Sequence, residues 1–362
     1  MTGARTASRT AAAGPVLPGR VLRNRRDTVS VRWRPRSVTV CAILAAAVAA
    51  VAAVSLTTGD YPVPLWDVVT TLAGHGSSMD YFIVVTLRLP RLLAALLIGA
   101  ALGMSGAVFQ SLSRNPLGSP DIVGFTSGAA SGAVLEIVVF HGGQSAVALA
   151  AVASGLATAL VVYLLSFRKG RVAGYRLVLV GIGISAMLVS VTSYLLTRAS
   201  LYDAQDAQVW LVGSLNGIGW NVVAPLAAAL AVFVPVTILA GRNLGWMEMG
   251  DEAAKALGVP VERTRLTLVI AAAALAAAAT AAAGPIAFVA LAAPQLCRRL
   301  TRTSGALVVP AAFMGSFLLS ASDFAAQRVV PSTELPVGIM TGVIGGAYLC
   351  WLLAHEWKSG RS

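Results

Sequence analysis

The sequence predicts an all-α polytopic membrane protein of about ten transmembrane helices. Three observations predict it. The 362 residues are 57% apolar and only 12% charged, whereas soluble domains run about 25% charged and 45–50% apolar. Apolar runs of roughly 20 residues, the length one helix needs to cross a bilayer, recur along the chain. Lys and Arg gather in the short gaps between those runs, as they do in loops on the cytoplasmic side of a membrane.

Apolar runs and their breakers place the spans near 38–58, 89–110, 122–140, 145–167, 177–197, 222–240, 266–283, 286–297, 306–322 and 335–354. The first run, Val38–Thr58, holds 21 residues and no charge, longer than the roughly 7–15 residues of a signal-peptide core. Arg25-Arg26 is followed by Asp27-Thr28-Val29, a poor twin-arginine context. This run therefore reads as a retained first span with the N-terminus inside. The eighth run is the shortest and begins at Gly284-Pro285.

Orientation follows from a count. With the N-terminus inside, segments 1–37, 111–121, 168–176, 241–265, 298–305 and 355–362 face the cytoplasm and hold 23 of the 27 basic residues. Only Arg88, Arg91, Arg198 and Arg328 fall outside. Omitting one span would put every later basic loop on the wrong side, so the count supports an even number of spans. Residues 1–37 then form a basic cytoplasmic tail, expected to be disordered. Residues 38–355 form the transmembrane domain, and 356–362 a short cytoplasmic tail. Spans two to five and seven to ten are expected to form an inverted repeat, because a shift of five spans reverses membrane direction.

Several function classes are excluded. The net charge of +12 is a topology signal and not a nucleic-acid surface, because the Arg-rich N-terminus, with Trp33 as its one aromatic residue, has no aromatic interleaving suited to base stacking. Cys41, Cys297 and Cys350 are scattered, as are His75, His141 and His355. No metal site, disulfide framework or cofactor is expected. No GxxxxGK[ST] motif occurs, so the energy for any ATP-driven process enters from another chain.

Small residues recur at helical spacing: Gly99 and Gly103, then Gly124, Gly128 and Gly132, then Gly338, Gly342 and Gly346. Such faces let helix backbones approach closely.

Two polar segments stand out. Gly241–Arg265 is the largest inner loop between spans. Within it Gly250-Asp251-Glu252-Ala253-Ala254 opens a short helical stretch with acids at its start. Leu257-Gly258-Val259-Pro260 can end that stretch and restart the chain. A short amphipathic helix here could press into a partner's groove; spacing alone leaves an ordinary connector equally open. On the outer side, Arg88-Leu-Pro-Arg91 stands at a helix start fixed by Pro90. Its guanidinium forks suit the carboxylates of an acidic soluble partner; on the residues alone, lipid-headgroup anchoring is the commoner use of such a pair.

Taken in order, these pieces resemble the permease subunits of iron–siderophore and cobalamin ABC importers, the FecCD type. The resemblance covers about residues 38–355. It rests on Leu87-Arg-Leu-Pro-Arg91, on Gly99–Gly106 with Gln110 and Asn115-Pro-Leu-Gly118, on Gly245–Pro260, on Gly284–Gln295 and on Glu334-Leu-Pro-Val-Gly338. It implies a second permease subunit, more fitting as a related chain than an identical one, around a central pathway. It also implies two ATP-binding subunits inside and an extracytoplasmic siderophore-binding protein outside. Arg88, Arg91 and Arg328 would face acidic residues of that binding protein. Asp251 to Pro260 would touch the ATPase. Gly284, Pro285, Pro294 and Gln295 are the implied gate, Gln295 standing where many family members have His. The wording Ala-Phe-Val-Ala-Leu-Ala-Ala-Pro-Gln over 287–295 is nearer to siderophore permeases, catecholate types in particular, than to cobalamin ones. The resemblance thus implies a cell-membrane subunit that imports ferric siderophores, with cobalamin or haem as the alternative load.

Two other function classes match single features of the sequence. Gly103-Met-Ser105-Gly106 fits the GxSG of intramembrane serine proteases, but a nucleophilic serine needs a base in reach and no histidine lies inside a predicted span. A secondary transporter would display buried ion-coupling groups, and only Glu136 falls within a predicted span.

Overall fold

The computed structural model describes residues 20–23, 30–33, 35–121, 123–168, 171–172, 174–303, 305–330 and 334–359. Fifteen helices run through them. They are α1 (Pro35–Thr57), α2 (Leu65–Leu72), α3 (Ser78–Tyr81), α4 (Leu89–Ser113), α5 (Phe125–Leu135), α6 (Gln144–Ser166), α7 (Gly174–Arg198) and α8 (Leu201–Val212). The second half holds α9 (Trp220–Gly241), α10 (Leu244–Glu248), α11 (Asp251–Ala256), α12 (Val261–Ala283), α13 (Val289–Thr301), α14 (Val308–Ala326) and α15 (Val337–Ser359). Single π-helical stretches join α3 to α4 (Phe82–Arg88) and extend α5 (Glu136–Phe140).

Helices occupy all ten segments read as spans, and seven of the described helices are long and apolar enough to cross a membrane. Several boundaries move. The second span is the end of one continuous helix from Ser78 to Ser113. The ninth reaches Ala326 and so takes in Asp323, which a boundary at 322 had left outside. The eighth does not begin at 286: residues 284–288 are irregular, and α13 has only 13 residues, about 20 Å of helix against a hydrocarbon core of about 30 Å. Segments read as plain outer loops carry α2 and α8. The tenth helix continues to Ser359, so the expected C-terminal tail is helical over 356–359. The N-terminal tail lies mostly outside the described residues. Within it, Arg20–Arg23 (β1) pairs antiparallel with Ser30–Trp33 (β2). A second two-residue ribbon joins Phe167–Arg168 (β3) to Arg171–Val172 (β4).

α4 occupies the centre. All of residues 98–112 except Ala100 are buried, whereas α1, which packs on α14, buries only Leu44 and Leu56. Glycines explain how one helix can be so surrounded. Added Cβ atoms at Gly99 and Gly103 would overlap the Gly315 and Ala311 carbonyls of α14, and one at Gly106 would overlap the Ala290 carbonyl of α13. Backbone contact of this kind replaces the hydrophobic drive that lipid removes. The α5 glycines 128 and 132 seat Thr158 and Ser154 of α6 in the same way. The third glycine set behaves differently: Gly338 abuts the Val212 carbonyl, but Gly342 and Gly346 have nothing within contact.

The packing repeats itself. α4 and α12 lie against each other; α4 also packs on α13 and α14, and α12 on α5 and α6. Both α5 and α13 are short, and each starts from a left-handed residue, Gly124 at φ 91° and Phe288 at φ 69°. Correspondence between spans two to five and seven to ten, with broken helices in matching positions, is the pattern of inverted-repeat transport folds.

Candidate functional site

One end of the bundle gathers the three arginines that the sequence singles out. Arg91, on the first turn of α4, lays its guanidinium along Asp323 near the end of α14, with Nε and Nη2 contacts of 3.0–3.2 Å. Its Nη1 donates to Glu334 at 2.7 Å. The side chains of Arg91 and Asp323 are only 15% and 7% exposed, so this is a closed ion pair that ties α4 to α14. Gln327 donates to Asp323 Oδ2, which Arg91 Nε also reaches, at 2.7 Å. Arg88 donates to the Leu56 and Tyr61 carbonyls at 2.7 and 2.5 Å. Arg328 donates to Thr58 and lies over the Phe324 ring, 3.8 Å from its centroid. Arg88 and Arg328 therefore flank the turn that follows α1, with Arg328 exposed at the surface. Asp323 was missed because it stands one residue beyond the predicted span. A carboxylate inside an apolar helix is the signal that could have found it.

The opposite end carries the loop from α10 to α12. Asp251 begins α11 and accepts from Arg265 of α12 at 2.8 Å and from Arg114, at the end of α4, at 3.0 Å. Arg114 also donates to the Met247 carbonyl at 2.8 Å, and Arg265 to Glu262 at 3.2 Å. Ala254 is fully buried beneath α11. Glu252, Ala253, Leu257, Gly258 and Pro260 are exposed, Gly250 and Val259 half-buried. Trp246, Met249 and Leu257 are 49%, 68% and 59% exposed, so this fixed loop presents apolar side chains outward. Asp251 thus has a second role beyond starting a helix. Local spacing could not show its partners, which lie far away along the chain.

The segment Gly284–Gln295 divides in two. Gly284 (φ 74°) packs so closely on the Trp210 carbonyl that a Cβ would overlap it, and Pro285 faces Gly213. Ser214 N–H donates to the Ala283 carbonyl at 2.8 Å, and Gly338 N–H to the Gly213 carbonyl at 3.1 Å. Phe288 takes a left-handed conformation that is rare for a bulky residue, and its side chain lies against Gly345 of α15. Pro294 and Gln295 are buried in α13. Gln295 donates to the Pro116 carbonyl at 2.7 Å, and Gln110 of α4 donates to the Leu291 carbonyl at 3.0 Å. These two amides clasp α13 to α4 and to the turn beyond it. The four gate candidates therefore do not share one constriction: Gly284 and Pro285 sit in the irregular segment, while Pro294 and Gln295 sit in packed helix.

A cavity of about 450 Å³ opens beside Pro285 and Gly338 and runs between α5 and α7 to Asp121. Hydroxyls line it. Of the lining residues Thr126, Ser127, Thr192 and Ser193, Ser127 bonds Ser185 at 2.6 Å and Thr192 bonds Ser131 at 2.8 Å. Thr126 donates to Asp121 at 2.6 Å. Burial pushes the Asp121 carboxyl above the ordinary carboxylate range, and the Thr126 bond opposes that shift. No single motif pointed to this wall, because its hydroxyls come from two helices about 60 residues apart.

Ser105, the protease-like serine, is fully buried and donates to the Ala272 carbonyl at 2.8 Å. It joins α4 to α12. Among the described residues no group of His, Cys, Asp and Glu is arranged to hold a metal.

A bundle of apolar helices with broken spans, a cavity lined in part by hydroxyls and a charge-locked loop at each end is the architecture of a membrane transport protein. The FecCD transport family matches residues 43–355, and the chain belongs to that family. It is 44% identical to the ferric enterobactin transport system permease protein FepG of Escherichia coli K12, over 89% of this chain and 97% of that protein. It is 35% identical to the Fe(3+) dicitrate transport system permease protein FecD of the same organism, over 85% of this chain and 96% of that one. It is also 35% identical to the cobalamin import system permease protein BtuC of Halobacterium salinarum, over 75% of this chain and 73% of that one. Among solved structures, an inward-facing metal-chelate type ABC transporter superposes with a TM-score of 0.77 at 25% identity, covering 88% of this chain and 99% of the other.

The closed Arg91–Asp323 pair generates a stability prediction. Asp323→Ala leaves a guanidinium that is largely out of water with only the exposed Glu334 as partner, and breaking a buried pair costs up to about 3–5 kcal/mol. The thermal midpoint in detergent should fall clearly. The double variant Arg91→Met/Asp323→Leu, which removes both charges, should recover much of that loss. An unchanged midpoint for Asp323→Ala would mean that the pair does not hold α4 to α14.

Proposed function

We propose that this chain is the permease subunit of an ATP-driven importer for ferric siderophores of catecholate type. The observation that carries the reading is 44% identity over nearly the whole length of a ferric enterobactin permease. The apolar and hydroxyl-lined cavity wall is consistent with it. Large chelates need a conduit that binds weakly, and Ser and Thr side chains offer hydrogen bonds without fixed charge. A cobalamin importer is the second reading, favoured by the halobacterial relative.

In this reading the chain lies in the cell membrane with both termini in the cytoplasm. It works with a second, related permease subunit, two ATP-binding subunits and an extracytoplasmic siderophore-binding protein. Arg88 and Arg328 face the binding protein. Arg91, its fork filled by Asp323 and Glu334, fixes the platform on which they stand. The loop Gly250–Pro260 meets the ATPase, with Trp246, Met249 and Leu257 as the apolar contact and the Asp251–Arg265–Arg114 cluster as its brace. The substrate passes along the α5–α7 hydroxyls, past Gly284 and Pro285. Pro294 and Gln295 serve as a clasp behind that path.

Three outcomes test this. A deletion strain should lose uptake of radiolabelled ferric catecholate and keep cobalamin uptake; the reverse result would overturn the siderophore assignment and leave the importer architecture intact. Arg88→Glu/Arg328→Glu should weaken attachment of the soluble binding protein to the reconstituted transporter, most visibly at low salt. Exposed pairs are worth about 0–1 kcal/mol each, so a several-fold loss is expected; unchanged affinity would return both arginines to lipid anchoring. Ala254→Arg forces charge into the fully buried seat of α11 and should abolish ATP-driven uptake. Normal uptake in that variant would reduce the loop to a connector.

A further inference from the structure

α6 and α9 both pack on α12, and between them they leave a furrow of about 480 Å³. Its floor is the alanine face of α12, including Ala274, Ala278 and Ala282; its walls include Leu149 and Leu156 of α6 and Phe233 of α9. Alanines explain the shape, because larger side chains on α12 would fill the space between the flanking helices. Polar side chains occur at one end only. Gln144 and Ser145 open α6, and Asn221 stands on the first turn of α9. No charged side chain lines the furrow.

The furrow continues an exposed apolar surface of these helices. On α6, Leu149, Leu160 and Leu164 are 70%, 58% and 60% exposed, and on α9, Val232 and Leu239 are 59% and 61% exposed. From Ser145 to Leu156 it runs about 17 Å along α6, against about 15 Å for one leaflet, half of a hydrocarbon core of about 30 Å. Water finds no partners on such walls, and an empty furrow would forfeit dispersion contacts along its whole length.

We propose that this furrow binds one acyl chain of a phospholipid, drawn from the leaflet that meets the N-terminal ends of α6 and α9. Gln144, Ser145 and Asn221 lie where the glycerol ester region of that lipid falls, and their amide and hydroxyl donors suit its carbonyl oxygens. With no charged residue in the lining, the site selects by chain shape and not by headgroup charge. The site depends only on the membrane class of the protein, so it stands apart from the identity of the transported substrate.

Photolabelling of the full chain tests it. The protein is reconstituted in phosphatidylethanolamine–phosphatidylglycerol vesicles containing a trace of phosphatidylethanolamine with a diazirine in mid-chain, and adducts are mapped by mass spectrometry. Adducts should concentrate on Phe233, Ala274 and Ala278 over the ridge residues Leu160 and Leu164. Ala278→Phe should remove room for two or more methylenes and lower furrow labelling about tenfold, with ridge labelling unchanged; Ala278→Ser, which keeps the shape, should label as the parent does. If Ala278→Phe does not insert, Ala229→Phe fills the furrow from the α9 side and is read in the same way. Equal labelling of furrow and ridge in the parent would mean bulk lipid only and overturn the site. So would an unlabelled furrow in which Ala278→Cys cross-links to a second copy of the chain.

Discussion

Everything in this structure depends on how closely other backbones can approach α4. Gly99, Gly103 and Gly106 bring the carbonyls of α14 and α13 into the space that side chains would occupy. In lipid there is no hydrophobic gain from pressing one apolar helix on another, so contact at backbone distance has to supply the adhesion. A central helix with neighbours on every side follows, and α12 takes the same part in the second half of the chain.

With the centre fixed, irregular backbone becomes tolerable at membrane depth. The break at 284–288 leaves peptide groups without helical partners, and these would be costly against lipid. The structure answers locally. Ser214 N–H bonds to the Ala283 carbonyl and Gly338 N–H to the Gly213 carbonyl, while Gly284 lies under the Trp210 backbone. Segments at Trp210, Gly213–Ser214 and Gly338 thus close round the broken helix. Because its walls include Pro285 and Gly338, the hydroxyl-lined cavity owes its shape to that break.

The charged residues show a matching economy. α4 carries an arginine near each end, Arg91 bound to Asp323 and Glu334, and Arg114 bound to Asp251. The same buried helix is therefore clamped to α14 at one end of the bundle and to the α10–α12 loop at the other. Movement of either end must break or carry an ion pair, which makes α4 the shared mechanical reference for both.

The sequence by itself determined the membrane class, the positions of ten helical segments, the family and the loop at Gly250–Pro260. Each of these is written locally, in run length, in the placement of Lys and Arg, in glycine spacing or in a contiguous motif. Glycine spacing also foretold the α4 seam, although the same pattern at Gly342 and Gly346 faces open space, because spacing marks where a neighbour can come and not whether one does. Only the tertiary structure decided that Arg91 is closed on Asp323 while Arg88 and Arg328 flank the turn after α1. Only it split the gate candidates into a broken segment and a buried clasp, and set the α5 and α7 hydroxyls against one another. Those relations join residues far apart in the chain, and no local pattern encodes a partner that folding alone brings within hydrogen-bond distance.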